Sequence, residues 1–139
     1  MKEIVVDASV AMTWCFPDEN SGYAHAVLDE LSGISAVVPA LWTIEVANAL
    51  AVGERRKRIT GADSSRFVDL VSALSIRFDS RTAGRALSHA LPLARAYGLS
   101  AYDATYLELA MRESAPLATL DDRLRAAAEA SGVLIYQPA

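Results

Sequence analysis

Short runs rich in Ile and Val alternate along this chain with longer segments whose apolar residues recur at three- and four-residue spacing. Those two periods in alternation point to an α/β fold with a mostly parallel sheet, in which each amphipathic segment carries the chain back to start the next strand. Strands are expected at Lys2–Val6, Ala36–Val38, Ile76–Phe78 and Pro116–Thr119, with a last one at Val133–Ile135, giving a four- or five-stranded sheet flanked by helices. Between them the spacing predicts a short helix over Ser9–Trp14 stopped by Phe16-Pro17, and a helix over Ser21–Leu31. A long apolar helix should begin near Pro39 and weaken at Gly53. Thr60 or Asp63 caps the next, whose apolar face is Phe67, Val68, Val71 and Leu74. A helix over Ala83–Ala96 should be interrupted at Pro92 and ended by Gly98. Helices from Ser100 to Glu113 and from Asp122 to Ala130 complete the series. No linker or repeat divides residues 1–139, so one domain is expected.

Lone acids interrupt this pattern where burial should exclude them. From Val37 to Gly53 the chain reads VVPALWTIEVANALAVG, seventeen residues in which Glu45 is the only charge, in a segment that reads as a helix buried on most sides. A carboxylate there must meet a cation, take a proton or line a wet pocket, because an unpaired buried charge costs several kcal/mol. Asp7 ends the run IVVD, Asp103 interrupts LSAYDATYLELA, and Asp121 follows APLATL. Ligands of open parallel sheets bind beyond the carboxyl ends of the strands, where Asp7 and Asp121 fall. Each Asp also suits a helix N-terminus: Asp7 before Ala8, Asp103 three residues after Ser100, and Asp122 three after Thr119. Glu45 lies inside its helix, so capping cannot explain it, and its alternative is a buried hydrogen-bonded pair. Four such acids in one cleft would suit a hard divalent cation.

Composition narrows the chemistry. The 139 residues are 53% hydrophobic and 22% charged, enough to bury a core without disulfide or metal staples. Cys15 is the only cysteine, and His25 and His89 stand apart, so a disulfide within the chain and zinc-type spacing are both absent. The N-terminal apolar stretch is too short for a signal peptide and no run spans a bilayer, so a cytoplasmic protein is expected. A net charge of −4 argues against a broad basic nucleic-acid surface. One basic cluster exists, Arg55, Arg56, Lys57 and Arg58; it reads either as a solvated helix end that complements the macrodipole or as a contact for RNA phosphates. Trp42 reads as core, whereas Trp14 and Phe16, close to a turn, could line an interface.

The segments VVDASV, PALWTIEVANAL, GLSAYDATYLELA and LATLDDRL, in this order and spacing over nearly the whole chain, resemble the PIN-domain nucleases, and among them the VapC-type toxins of toxin–antitoxin pairs. The resemblance implies a parallel sheet with the first strand central and an endoribonuclease dependent on Mg²⁺ or Mn²⁺. Asp7, Glu45, Asp103 and Asp121 form its acidic quartet, as metal ligands and catalytic groups. Ser9, Asn48 and Thr119 match polar positions that support the pocket, while Asp122 either assists the metal or only caps its helix. It further implies an RNA substrate, a homodimer, and a VapB-type antitoxin that lays a segment along the toxin with a basic side chain in the acidic pocket. Other readings of the same residues are a PIN nuclease of RNA maturation or DNA processing and a protein that binds metal without turnover. A receiver-like signalling domain would need Asp79 as phospho-acceptor and a lysine after the last strand, and the only lysines are Lys2 and Lys57.

Overall fold

The computed structural model describes residues 2–16, 18–19 and 21–139, so the expected helix stop at Pro17 lies outside the described residues. Strand β1 (Glu3–Val6) leads into helix α1 (Ala8–Thr13), then α2 (Gly22–Glu30) and strand β2 (Ser35–Pro39). Helices α3 (Leu41–Arg55) and α4 (Gly61–Ala73) precede β3 (Ile76–Asp79). A helical segment in pieces follows, α5 (Thr82–Arg85), a π-helical stretch Ala86–Ala90 and α6 (Leu91–Tyr97), and then α7 (Ala101–Glu113), β4 (Leu117–Ala118) and α8 (Asp122–Ser131).

The four strands form one all-parallel sheet in the order β3-β2-β1-β4. The chain builds outward from β1 through β2 to β3, then crosses back to set β4 on the other side of β1. The topological switch point therefore lies between β1 and β4, where a crevice opens beyond the strand ends. The expected last strand is reduced to a single bridge between Leu117 and Ile135, with Leu117 N–H donating to the Leu134 carbonyl and Tyr136 N–H to that of Leu117, both at 2.9 Å.

Alternation along the interior strands feeds two apolar layers. Ile4 and Val6 face Val10, Ala24 and Val27, while Val5 and Val37 face Trp42, Val46 and Leu107. Trp42 is core, as read, and so is Phe16, which the sequence left open to an interface role. Trp14 is partly buried and donates its indole N–H to the Ala24 carbonyl.

Several local expectations change for physical reasons. Pro39 closes β2 opposite Asp79 instead of starting the helix. Helix α3 is one-sided: Trp42, Val46, Leu50 and Gly53 are buried, whereas Ile44 is 69% exposed. It runs on through Gly53, where a Cβ would meet the Phe16 ring at 2.6 Å, so that glycine permits a close approach. In α4, Phe67 is buried but Val68 is exposed, and Thr60 and Asp63 together make a full capping box. The break expected at Pro92 falls one turn earlier, as the π-helical stretch, because a proline lacks the N–H that an α-helical ladder would need there. Among the described residues no helix is long and apolar enough to cross a membrane.

Candidate functional site

Asp7 directly follows β1 at the switch point and is 4% exposed. It occupies the N-cap position of α1 without using its side chain as a cap. Instead its Oδ2 accepts the Ser9 hydroxyl at 2.7 Å and the Thr119 hydroxyl at 2.8 Å. Ser9 Oγ in turn accepts the Leu120 N–H at 3.1 Å, and Thr119 Oγ1 the Asp121 N–H at 3.0 Å. Two hydroxyl relays, through Ser9 and Thr119, thus tie Asp7 at the end of β1 to the turn after β4.

Asp121 is the N-cap of α8, its Oδ1 accepting the Leu124 N–H at 3.0 Å. The capping role considered for the Thr119 and Asp122 pair is therefore not formed: Thr119 is committed to Asp7, and Asp122 is exposed in the first turn of α8. Asp103 enters from the first turn of α7, whose N-cap Ser100 accepts its backbone N–H at 3.1 Å. Gly98, at φ +64°, ends α6 in the left-handed conformation just before this turn. Glu45 is half-buried on α3, and its Oε1 accepts the phenol of Tyr106 on α7 at 2.5 Å.

Electrostatics ties these acids together. Burial raises the carboxyl pKa of Asp7, and the charge of Asp121 adds to it, against hydrogen bonds from Ser9 and Thr119. Burial likewise raises that of Glu45, with the Tyr106 hydrogen bond opposing it and Asp7 and Asp103 adding to it. Asp103 is raised by burial, then by Asp121 and Asp7, with Ser100 opposing. Among the described residues no Lys, Arg or His forms an ion pair with any of the four. Mutual repulsion without a cation is what a divalent ion would relieve, and the donor set, all oxygen, suits a hard one. Among the described residues no three such groups stand close enough to hold one ion directly. The fit is therefore to an ion that keeps several of its waters, as Mg²⁺ does.

Beside the acids runs a groove of about 420 Å³ lined by Ser9 and Asn48 together with Met12, Phe16, Val52 and Arg58. Asn48 is exposed along it. The basic cluster is placed differently from the quartet. Arg55 lies ten residues beyond Glu45, about 15 Å along the helix at 1.5 Å per residue. Arg58 is already engaged, paired with Asp18 at 2.9 Å and Glu19 at 2.8 Å and stacked 4.3 Å over the Phe16 ring. Lys57 takes a left-handed φ of 58° at the helix end, with Arg58 N–H closing onto the Gly53 carbonyl at 2.9 Å, so this stretch terminates α3. Arg55, Arg56 and Lys57 remain exposed.

Two features escaped the sequence reading. Tyr106, whose only signal is a polar tip three residues after Asp103 in an apolar helix, is fully buried against the quartet. Asp79, which a receiver-like reading would need as phospho-acceptor, is clamped by Arg112 through two hydrogen bonds of 2.9 Å. Nothing in the sequence pairs two residues 33 positions apart.

A family model described as PIN domain matches residues 4–130. Over 122 residues the chain is 28% identical to a protein named ribonuclease VapC3 from Pyrobaculum aerophilum, covering 88% of this chain and 92% of that one. The fold is shared with VapBC2 from Rickettsia felis, solved bound to a promoter DNA fragment, at TM-score 0.66 and 9% identity over 96% of this chain and 97% of that one. A toxin–antitoxin complex from Klebsiella pneumoniae matches at TM-score 0.62 and 15% identity, covering 98% of both chains.

Proposed function

Since the chain belongs to the PIN-domain family, we propose that it is a metal-dependent endoribonuclease of the VapC type, the toxin of a toxin–antitoxin pair. The observation that carries this reading is the group of four carboxylates, Asp7, Glu45, Asp103 and Asp121, gathered without a cation at the sheet's switch point. The name of the Pyrobaculum relative supports ribonuclease activity, and the Klebsiella complex supports an antitoxin partner.

Asp7, Asp103 and Asp121, with Glu45 completing the set, would hold Mg²⁺ or Mn²⁺ largely through the waters the ion keeps. Such an ion, when bound, polarises a phosphoryl oxygen and makes a water more acidic. Glu45 would accept a hydrogen bond from the attacking water and orient it. Asp7 is kept in place by Ser9 and Thr119, so that one acid needs no rearrangement as substrate arrives. Attack by water rather than by a 2′-hydroxyl leaves 5′-phosphate and 3′-hydroxyl ends. The exposed Arg55, Arg56 and Lys57 would meet the substrate backbone at a distance from the cut, with Arg58 a lesser candidate because it is paired. The antitoxin segment this site suits is basic and apolar, its cation in the acidic cleft and its apolar residues along the groove of Met12, Phe16 and Val52. A homodimer belongs to the same proposal, supported by large exposed apolar side chains such as Ile44 and Phe78.

The test is cleavage of structured RNAs by the purified protein, freed of any partner, in Mg²⁺, Mn²⁺ or EDTA. Cleavage should require the metal and fall at least about tenfold, or about 1.4 kcal/mol of barrier, in Asp7→Asn. A variant that stays folded and keeps more than about a tenth of the rate would remove Asp7 from the mechanism.

A further inference from the structure

Each acid of the cleft has a group that holds it. Asp7 is gripped by two hydroxyls, Asp121 by its own helix terminus, and Asp103 sits in a capped first turn. Glu45 is the longest of the four side chains and the one from a helix interior. Its neighbours Ile44 and Asn48 face solvent, so an unrestrained carboxylate here would swing outward to water. We propose that Tyr106 is the positioning residue of this site, fixing Glu45 in the cleft.

The hydrogen-bond inventory of a phenol makes this specific. A tyrosine hydroxyl has one proton to give and lone pairs to receive with. The Tyr106 hydroxyl gives its proton to Glu45 Oε1 across 2.5 Å, a separation that belongs to charge-assisted O–H···O⁻ bonds. Tyr106 is 0% exposed, so the phenol side of this bond is shielded from water. Groups behind a metal's ligands orient them in this way, and their loss typically costs about 10–100-fold in affinity or activity. This assignment rests on the metal-centre reading above.

The experiment is a double-mutant cycle on the full chain with Tyr106→Phe and Glu45→Gln, reading the Mn²⁺ dissociation constant by electron paramagnetic resonance of the free ion, alongside RNA cleavage. Tyr106→Phe keeps the ring and should weaken Mn²⁺ by about 10–100-fold. In the Glu45→Gln background the same change should move the constant by no more than about twofold, since the group it positions no longer carries charge. Unchanged Mn²⁺ affinity in Tyr106→Phe, with wild type binding and cleaving, overturns the Tyr106 assignment alone. Equal losses in both backgrounds also overturn it, because a packing role would not depend on Glu45. If Tyr106→Phe fails to fold, Glu45→Asp draws the carboxylate back from the phenol without removing its charge; wild-type affinity in that variant overturns the assignment. A folded wild type that neither binds Mn²⁺ nor cleaves RNA overturns the metal-centre reading and this assignment with it.

Discussion

Helix α7 serves two groups of buried acids with opposite electrostatics. Its N-terminal half brings Asp103 and Tyr106 to the cleft, where burial and mutual repulsion hold the carboxyls of Asp7, Glu45 and Asp103 above their ordinary range. Little more than a turn later the same helix presents Glu108 and Arg112. Arg112 hydrogen-bonds Asp79 at the end of β3 and Glu108 on its own helix, and Arg85 adds a second cation to Glu108 at 2.9 Å. There the Arg112 hydrogen bonds draw the Asp79 carboxyl down to about 2, and although burial opposes it, Arg112 and Arg85 lower that of Glu108. The second group is complete as folded. The first has no cation paired with it among the described residues, and on the proposed reading an ion from outside completes it.

Arg112→Met tests the comparison most severely, because it would turn the compensated group into an uncompensated one. Removing one partner of a buried network typically costs about 3–5 kcal/mol, to be read from urea unfolding. A loss below about 1 kcal/mol would mean that the Asp79 and Glu108 charges are not held by Arg112. The cleft should respond in the opposite sense to added cation. Mn²⁺ at about a hundred times its dissociation constant should stabilise wild type by about 2.7 kcal/mol. Thermal unfolding of the Asp7→Asn/Asp103→Asn double variant should show no such gain, and an equal gain would place the ion elsewhere.

Smaller, and sharper in sign, is the dependence on pH in EDTA. Asp7, Glu45 and Asp103 bind protons more readily folded than unfolded, so their contribution to stability rises as pH falls through their raised values and is complete below the ordinary 3.8 of Asp and 4.5 of Glu. Asp79 behaves inversely, its contribution present above 3.8 and lost as pH falls toward about 2. Metal-free protein should therefore gain in Tm on mild acidification from neutrality and lose it below about pH 4. Asp7→Asn should flatten the gain and leave the loss, and a variant with an unaltered gain would show that the Asp7 charge is not frustrated.

Much of the fold was legible because its periods are local. The β-branched runs and the 3-4 spacing set the alternation of strands and helices, and Ser21, Thr60 and Ser100 announce helix starts with their hydroxyls. Less legible were features decided by a distant neighbour: Gly53 looks like a helix breaker until the Phe16 ring is laid against it. Pro39 looks like a helix start until it pairs with Asp79. The last strand fails after one bridge, although its residues suit a strand.

The acids show where that boundary lies. Asp7 follows the strand residues IVV and Asp79 closes the strand IRFD, so by local sequence they are near equivalents, each a carboxylate at the end of a short strand. That a lone charge in such a place needs an explanation follows from the sequence alone, through the cost of removing it from water. Which explanation applies was decided only by tertiary structure, which sets Arg112 against Asp79 and sets Asp121, another acid, within the field of Asp7. Coulombic compensation depends on separation in space, and residues 33 or 114 positions apart along the chain acquire that separation only when the sheet and its helices have closed.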